Sequence, residues 1–316
     1  MSPMQSTRDP GSAGERPDRP AVSMPSLRPE GAARPGLAGA VRDLGYDIAL
    51  RGLGAWALYR HRRRFDAVER FCLFVGYPRS GHSVVGTMLN AHPDAVVAHE
   101  LNVVPHVLGG CTRDELYARI LARAFWFDWR GSRTNYDYRV PNQWQGRFRD
   151  LRVIGDKRGG AVTRCLAEHP DFLERVRKLV GVPLRLVHVV RNPFDNIAAI
   201  SLWHGLSLDE SVRFYFDHLR TTARLGDLCD ADELLTVRHE DMIAAPAPWL
   251  VELCEFVGLA PEPGYVGDCS RIVFRAPTRS RRRLDWPPAL RREVERQVRA
   301  HPFLDGYEFD RAEGPG

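Results

Sequence analysis

Lysine is nearly missing from this 316-residue chain: of its 45 lysines and arginines, all but Lys157 and Lys178 are arginine. Each lysine therefore merits attention, because a compact ammonium and a planar guanidinium are not interchangeable at a tight site. Lys178 reads as an ordinary surface residue. No apolar run reaches the roughly 18 residues a spanning helix needs. The six cysteines (Cys72, Cys111, Cys165, Cys229, Cys254, Cys269) are scattered, with no CxxC and no histidine pair at zinc spacing. The default expectation is no metal and a reducing, cytoplasmic compartment. The charge excess is only +5 at a pI near 9.0. That falls short of a nucleic-acid footprint, where basic residues crowd one face, but suits an anionic ligand.

Residues 1–36 are rich in Pro, Gly, Ser, Arg and Ala and read as a disordered tail, not a signal peptide. Over 37–64 an amphipathic pattern (Val41, Leu44, Ile48, Leu53, Trp56, Tyr59) runs into His61-Arg62-Arg63-Arg64. Packing of this basic helix against the domain is preferred to contact with a membrane surface. Residues 65–316 are long enough for one domain with a full core.

Within that domain, strands are expected at 71–76, 95–98, 151–154, 184–190 and 234–237. Helical periods lie between them. Phe172, Val176, Leu179 and Val180 share a face that stops at Gly181, and Leu208, Val212, Tyr215, Phe216 and Leu219 follow a capping box of Ser207 and Glu210. Leu250, Leu253, Cys254 and Val257 precede Gly258 and Pro261, a helix stop. The alternation predicts an α/β fold, a parallel sheet of about five strands with helices on both faces. Ligands in such sheets sit at the carboxyl ends of the strands.

The first strand runs into Gly76-Tyr77-Pro78-Arg79-Ser80-Gly81-His82-Ser83, followed by Val85, Met88 and Leu89 at helical spacing. Strand, glycine-containing loop and helix start aim backbone N–H groups at one anion. The pattern is a Walker A loop whose lysine has become histidine. A P-loop kinase also needs a carboxylate for Mg²⁺, but the strand that could carry it ends Val190-Arg191. The site thus looks built for an anion without a metal, and Tyr77-Pro78-Arg79-Ser80-Gly81-His82-Ser83 resembles the 5'-phosphosulfate loop of sulfotransferases that use 3'-phosphoadenosine 5'-phosphosulfate (PAPS), a resemblance that implies a P-loop-like sheet. His82 stands where that family commonly has threonine. Arg79, Ser80, Gly81, His82 and Ser83 are the residues carried over.

Val190-Arg191-Asn192-Pro193 begins a second strand-to-helix turn, and it resembles the family's 3'-phosphate motif. Arg191 can hold a phosphate with bidentate, charge-assisted bonds. The serine that the family carries eight residues later is Ala199 here, and Ser201, about 200° around a helix, is the nearest hydroxyl. Two anion cradles suit a nucleotide phosphorylated at both ends of its ribose. Arg238-His239-Glu240-Asp241 and the helical stretch after it resemble the segment that closes the nucleotide side. The arginine run 279–283 reads either as a lid or as a solvated loop.

Moving a sulfuryl group to an alcohol needs a base for the hydroxyl proton and cations for the oxygens that gain charge. The stretch Ala98-His99-Glu100-Leu101-Asn102 resembles that of carboxylate-using Golgi-type and bacterial members. Glu100 is the expected base, its pKa raised by burial against the opposing charge of two nearby arginines, with His99 as competitor. Lys157, at the end of the third strand, is expected at the bridging oxygen, and Arg79 on the sulfonate and 5'-phosphate oxygens. The aromatic segment with Phe125, Trp126, Phe127, Trp129, Tyr136, Tyr138, Trp144 and Phe148 shows few helical signals. It fits either an acceptor cover or a satellite cluster. The acceptor stays open among sugars, phenols, other small molecules and peptides. A P-loop nucleotide kinase and a non-catalytic nucleotide-binding scaffold are the rival readings.

Overall fold

The computed structural model describes residues 37–130 and 139–310, apart from the side chains of 37–47 and 130. The expected tail over 1–36, the side chains of Val41 and Leu44, and Tyr136 and Tyr138 lie outside the described residues. Strands β1 (Arg70–Gly76), β2 (Ala95–Ala98), β3 (Val153–Asp156), β4 (Leu184–Val190) and β5 (Leu234–Arg238) form one sheet in the order β2-β3-β1-β4-β5. All four pairings are parallel.

Helices alternate with the strands. In chain order they are α1 (Leu37–His61), α2 (His82–Asn90), α3 (Val104–Leu108), α4 (Arg113–Arg130), α5 (Gly159–Glu168), α6 (Phe172–Val180) and α7 (Pro193–His204). There follow α8 (Leu208–Thr222), α9 (Leu225–Leu228), α10 (His239–Ala244), α11 (Pro246–Val257), α12 (Pro263–Ile272) and α13 (Pro288–Arg299). The period-2 geometry of β1 divides the core. Phe71, Leu73 and Val75 pack with α4, α5 and α6 on one face, while Cys72 and Phe74 pack with α2, α11 and α12 on the other. Both faces are thus covered, which is why β1 and β4 read as continuous apolar runs.

Local signals end the helices where expected. Gly181 and Gly258 take left-handed φ values of 66° and 78° at the ends of α6 and α11. Ser207 and Glu210 form the capping box that opens α8. Two boundaries differ. Phe125, Trp126, Phe127 and Trp129 finish α4 instead of opening a loop, because Leu116, Ile120, Leu121 and Ala124 bury one face of that helix and carry it onward. Strand β3 is displaced from the expected 151–154, running from Val153 to Asp156 and ending on a residue that only enclosing hydrogen bonds make acceptable in a buried ladder. Among the described residues no helix is long and apolar enough to cross a membrane. Helix α1 lies along α4, with Ala57 buried in the core and Trp56 against Phe125 at 6.5 Å between ring centroids.

Candidate active site

The sheet order puts β1 between β3 and β4, so three chain segments converge at one edge: the loop after β1, Lys157 after β3 and Arg191 after β4. In the loop, Arg79 and Gly81 adopt φ of 68° and 108°. Such left-handed residues turn successive N–H groups toward one point. A Cβ at Gly81 would stand 2.4 Å from Nδ1 of His239, so only glycine fits. The loop is pinned from below. Asn196 Nδ2 donates to the Pro78 carbonyl at 2.8 Å, Ser80 Oγ to the Tyr77 carbonyl at 3.0 Å, and the Gly76 N–H to Thr163 Oγ1 at 2.7 Å.

His82 does not present its ring as a cation. Burial, then the charge of Lys157, lowers its pKa to about 3. The neutral ring sits 3.0 Å from the Val75 carbonyl through Nε2 and edge-on to Phe74. Only its backbone belongs to the anion loop. The cation comes instead from β3: Lys157 Nζ donates to Ser83 Oγ and to Glu100 Oε1, both at 2.9 Å. Gly86 leaves room for this, since a Cβ there would lie 2.6 Å from Lys157 Cγ.

Glu100 and Asn102 both take left-handed φ, 61° and 67°. This costly turn is held by Asp156, whose carboxylate accepts the N–H groups of Leu101 (2.9 Å), Asn102 (2.9 Å) and Val103 (3.2 Å). Burial still raises the Asp156 pKa to about 6 against those bonds. For Glu100, burial raises the pKa, but the charge and hydrogen bond of Lys157, with lesser help from His99 and Arg158, overcome it and hold the carboxyl at about 2. The shift is therefore downward, against the sequence expectation, and its cause is a lysine in contact. Burial, partly offset by Glu100, lowers Lys157 from the usual 10.5. His99 falls to about 3 through burial and then Lys157, and its ring stacks on Phe127 at 4.0 Å.

Arg191 donates through Nη1 to the Arg79 carbonyl at 3.2 Å and through Nη2 to the Thr278 carbonyl. The Arg191 turn is secured by Glu240, which accepts the Asn192 N–H at 2.9 Å. Ser201 turns its hydroxyl to the Leu206 carbonyl at 2.7 Å and does not line the cavity described below. The arginine run is divided: Arg282 and Arg283 are exposed, whereas Arg281 is buried in an ion pair with Asp195 at the start of α7. Arg281 also gives its backbone N–H to Asp195 at 2.9 Å and its Nε to the Phe309 carbonyl at 2.8 Å. Through this anchor, Thr278 and Ser280 are brought to Arg191. Arg281→Ala strands a buried carboxylate, so a loss of about 3–5 kcal/mol in urea unfolding is expected.

These segments enclose a cavity of about 320 Å³ whose wall includes Arg79, Gly81, His82, Ser83, His99, Glu100, Lys157, Arg191, Trp203 and His239. The Arg79 guanidinium lies 4.3 Å over the Trp203 ring. Among the described residues, buried Arg79 Nε and His239 Nδ1 have no hydrogen-bond partner. Among the described residues no group of three or more His, Cys, Asp or Glu side chains could hold a metal ion. Asn196, Asp156, Trp203 and the Asp195–Arg281 pair were missed from sequence. Asp156 and Asn196 stood beside recognised residues, whereas Trp203 carried no signal.

An all-parallel α/β sheet whose central strand runs through a glycine-containing loop into a helix is a P-loop-like fold. The chain belongs to the sulfotransferase family, whose model matches residues 73–263, and sulfuryl transfer is the activity that membership carries. Among solved structures it is similar to the sulfotransferase domain from the Synechococcus PCC 7002 olefin synthase, at 16% identity and a TM-score of 0.45 over 74% of this chain and 95% of that one. Sulfotransferase STF9 from Mycobacterium avium is similar at 13% identity and a TM-score of 0.44, over 77% and 79% of the two chains. Mouse sulfotransferase SULT7A1 complexed with PAP is similar at 13% identity and a TM-score of 0.38, over 70% and 68%. No curated protein matches the sequence.

Proposed function

We propose that the chain transfers the sulfuryl group of PAPS to a hydroxyl by in-line displacement without a metal ion. The observation that carries this reading is the Lys157 ammonium, which joins Ser83 of the anion loop to Glu100 at 2.9 Å each. One cation there touches both the donor cradle and the candidate base.

The residues present fit the donor. Backbone N–H groups of the loop, with Arg79 and Ser83, would hold the 5'-phosphosulfate, and Arg79 Nε and His239 Nδ1 are buried polar atoms awaiting partners. Arg191 would hold the 3'-phosphate. Ser201, committed to Leu206, is left out of this set. PAPS supplies an activated sulfuryl group on a phosphosulfate linkage. Glu100 accepts the hydroxyl proton as the new oxygen–sulfur bond forms, and Lys157 neutralises the bridging oxygen as its bond to sulfur breaks.

The resting pair is poised for an exchange of partners. While Lys157 bonds Glu100, the carboxyl sits at about 2 and is a weak base. Once the ammonium turns to a donor oxygen, its hydrogen bond to Glu100 is lost and burial, the largest influence on that carboxyl, is opposed less, so the pKa rises. The base is thus activated where the donor is in place. Six cysteines without a disulfide suit a reducing setting, the cytoplasm, as the place of action.

Calorimetry with adenosine 3',5'-bisphosphate in EDTA tests the donor. Tight binding without a divalent cation is expected, and a preference for ATP with Mg²⁺ would sink the proposal in favour of a P-loop kinase.

A further inference from the structure

A second cavity, about 700 Å³, lies between α1 and α4 and meets the first at Glu100 and Arg158, which line both. Its wall sets four guanidiniums, Arg51, Arg119, Arg123 and Arg158, against two carboxylates, Glu100 and Glu115. Arg158 acts on Glu100 and Arg119 on Glu115 only weakly and through space, and the hydrogen bonds of both carboxylates go elsewhere. Glu100 is bonded to Lys157, and Glu115 accepts the Thr112 N–H at 2.9 Å as part of the start of α4. His106 is on the same wall, its pKa lowered by burial and then by the charge of Arg119. Among the described residues Arg51, Arg119 and Arg158 form no ion pair. Arg123 is held to the His99 carbonyl at 2.9 Å, which fixes α4 beside the end of β2. Leu50, Leu58 and Leu101 give the rest of the wall an apolar character.

A positive field over an apolar wall, opening onto the candidate base, selects a ligand with three parts. We infer that the acceptor is a hydroxylated anionic amphiphile, its hydroxyl at Glu100, its acid group on Arg119 and Arg158, and its apolar stem along α1. This rests on the donor reading above. The same two helices leave Trp56, Tyr59, Phe125 and Trp129 exposed, side chains that suit the interface between water and lipid. The amphiphile therefore comes either from solution or from a bilayer.

Binding of 12-hydroxydodecanoate and of its methyl ester, followed by calorimetry with adenosine 3',5'-bisphosphate present, tests the assignment. The acid is expected to bind about 10- to 100-fold more tightly than the ester, the range that charge-assisted bonds to guanidinium supply. Arg119→Glu and Arg119→Gln should erase that preference while leaving affinity for the bisphosphate unchanged, which also certifies the fold. Equal binding of acid and ester, or an unaltered preference in the variants, overturns the acceptor assignment and leaves the donor reading intact. Failure of the bisphosphate to bind the native protein overturns the donor reading, and this inference with it. Sulfation of phosphatidylglycerol in vesicles would place the source in a bilayer, and sulfation of free 12-hydroxydodecanoate would place it in solution. A neutral monoacylglycerol sulfated as fast as either would overturn the inference.

Discussion

Glu100→Gln should lower turnover by about 10²-fold or more, the usual worth of a positioned general base, while adenosine 3',5'-bisphosphate binds as before. The amide keeps the shape and can still meet Lys157, but it cannot take the hydroxyl proton. Two features make the assignment specific. Glu100 lines both cavities, and Asp156 holds it in a left-handed turn through three backbone bonds. The alkaline side of the pH profile gives an independent readout. Lys157 must be protonated to neutralise the leaving oxygen, and burial sets its pKa below 10.5. Turnover should therefore fall as pH rises through that lowered value. Removing the Glu100 charge takes away the partner that supports the ammonium, so in Glu100→Gln the decline should begin at still lower pH. That shift reports the Glu100–Lys157 contact alone, and the loss of turnover carries the assignment of the base. Unchanged turnover in the variant would transfer the base to His99, whose pKa of about 3 and stacking on Phe127 make it a poor acceptor of protons.

Much of the architecture was legible because apolar runs and turn residues report burial directly. The five strands were visible as short Val- and Leu-rich runs, since a sheet covered on both faces needs no polar alternation. Gly181 and Gly258 were visible as stops because the left-handed cap is written in the residue type. The α4 extension was not, because aromatic side chains neither favour nor forbid a helix strongly, and tertiary packing decided. At the site, chemistry-bearing residues at strand ends were readable one by one, whereas their pairings were not. The downward shift of Glu100 depends on a contact with Lys157 across 57 positions, and no local pattern encodes such a contact. Nor did the sequence tell which arginine of the 279–283 run is buried. That follows from Asp195 lying opposite Arg281 and not opposite Arg282 or Arg283.

The substitution in the anion loop has a physical reading that follows from the same contacts. A histidine in place of the Walker lysine looked like a lost cation. The structure shows the ring buried on Val75 and Phe74, and the ammonium supplied from the end of β3. A lysine entering from β3 can touch the loop and the end of β2 at once, which a lysine within the loop would reach only by bending back. Under the proposed function that placement would couple donor binding to the state of Glu100, and Lys157 is buried where Lys178 is exposed.

Arg191→Ala should weaken binding of adenosine 3',5'-bisphosphate by about 10²-fold, since two hydrogen bonds from a guanidinium to a phosphate are worth about 1.5–3 kcal/mol each and part of that loss is recovered by water. The loss alone would not establish contact with the 3'-phosphate. Arg191 also holds the Arg79 and Thr278 carbonyls, so its removal loosens the loop and the C-terminal segment together. The comparison that separates these effects is with adenosine 5'-monophosphate, which presents the same base, ribose and 5' end. If Arg191 reads the 3'-phosphate, the native protein prefers the bisphosphate strongly, and Arg191→Ala brings the two nucleotides to nearly equal affinity. If it serves only to hold the loop, both affinities fall in parallel and the preference survives. Arg191→Lys sharpens the test. An ammonium keeps the charge but cannot span two acceptors as the planar guanidinium does, so an intermediate preference is expected. Raising the salt concentration should erode the preference of the native protein and of Arg191→Lys, but leave Arg191→Ala nearly flat.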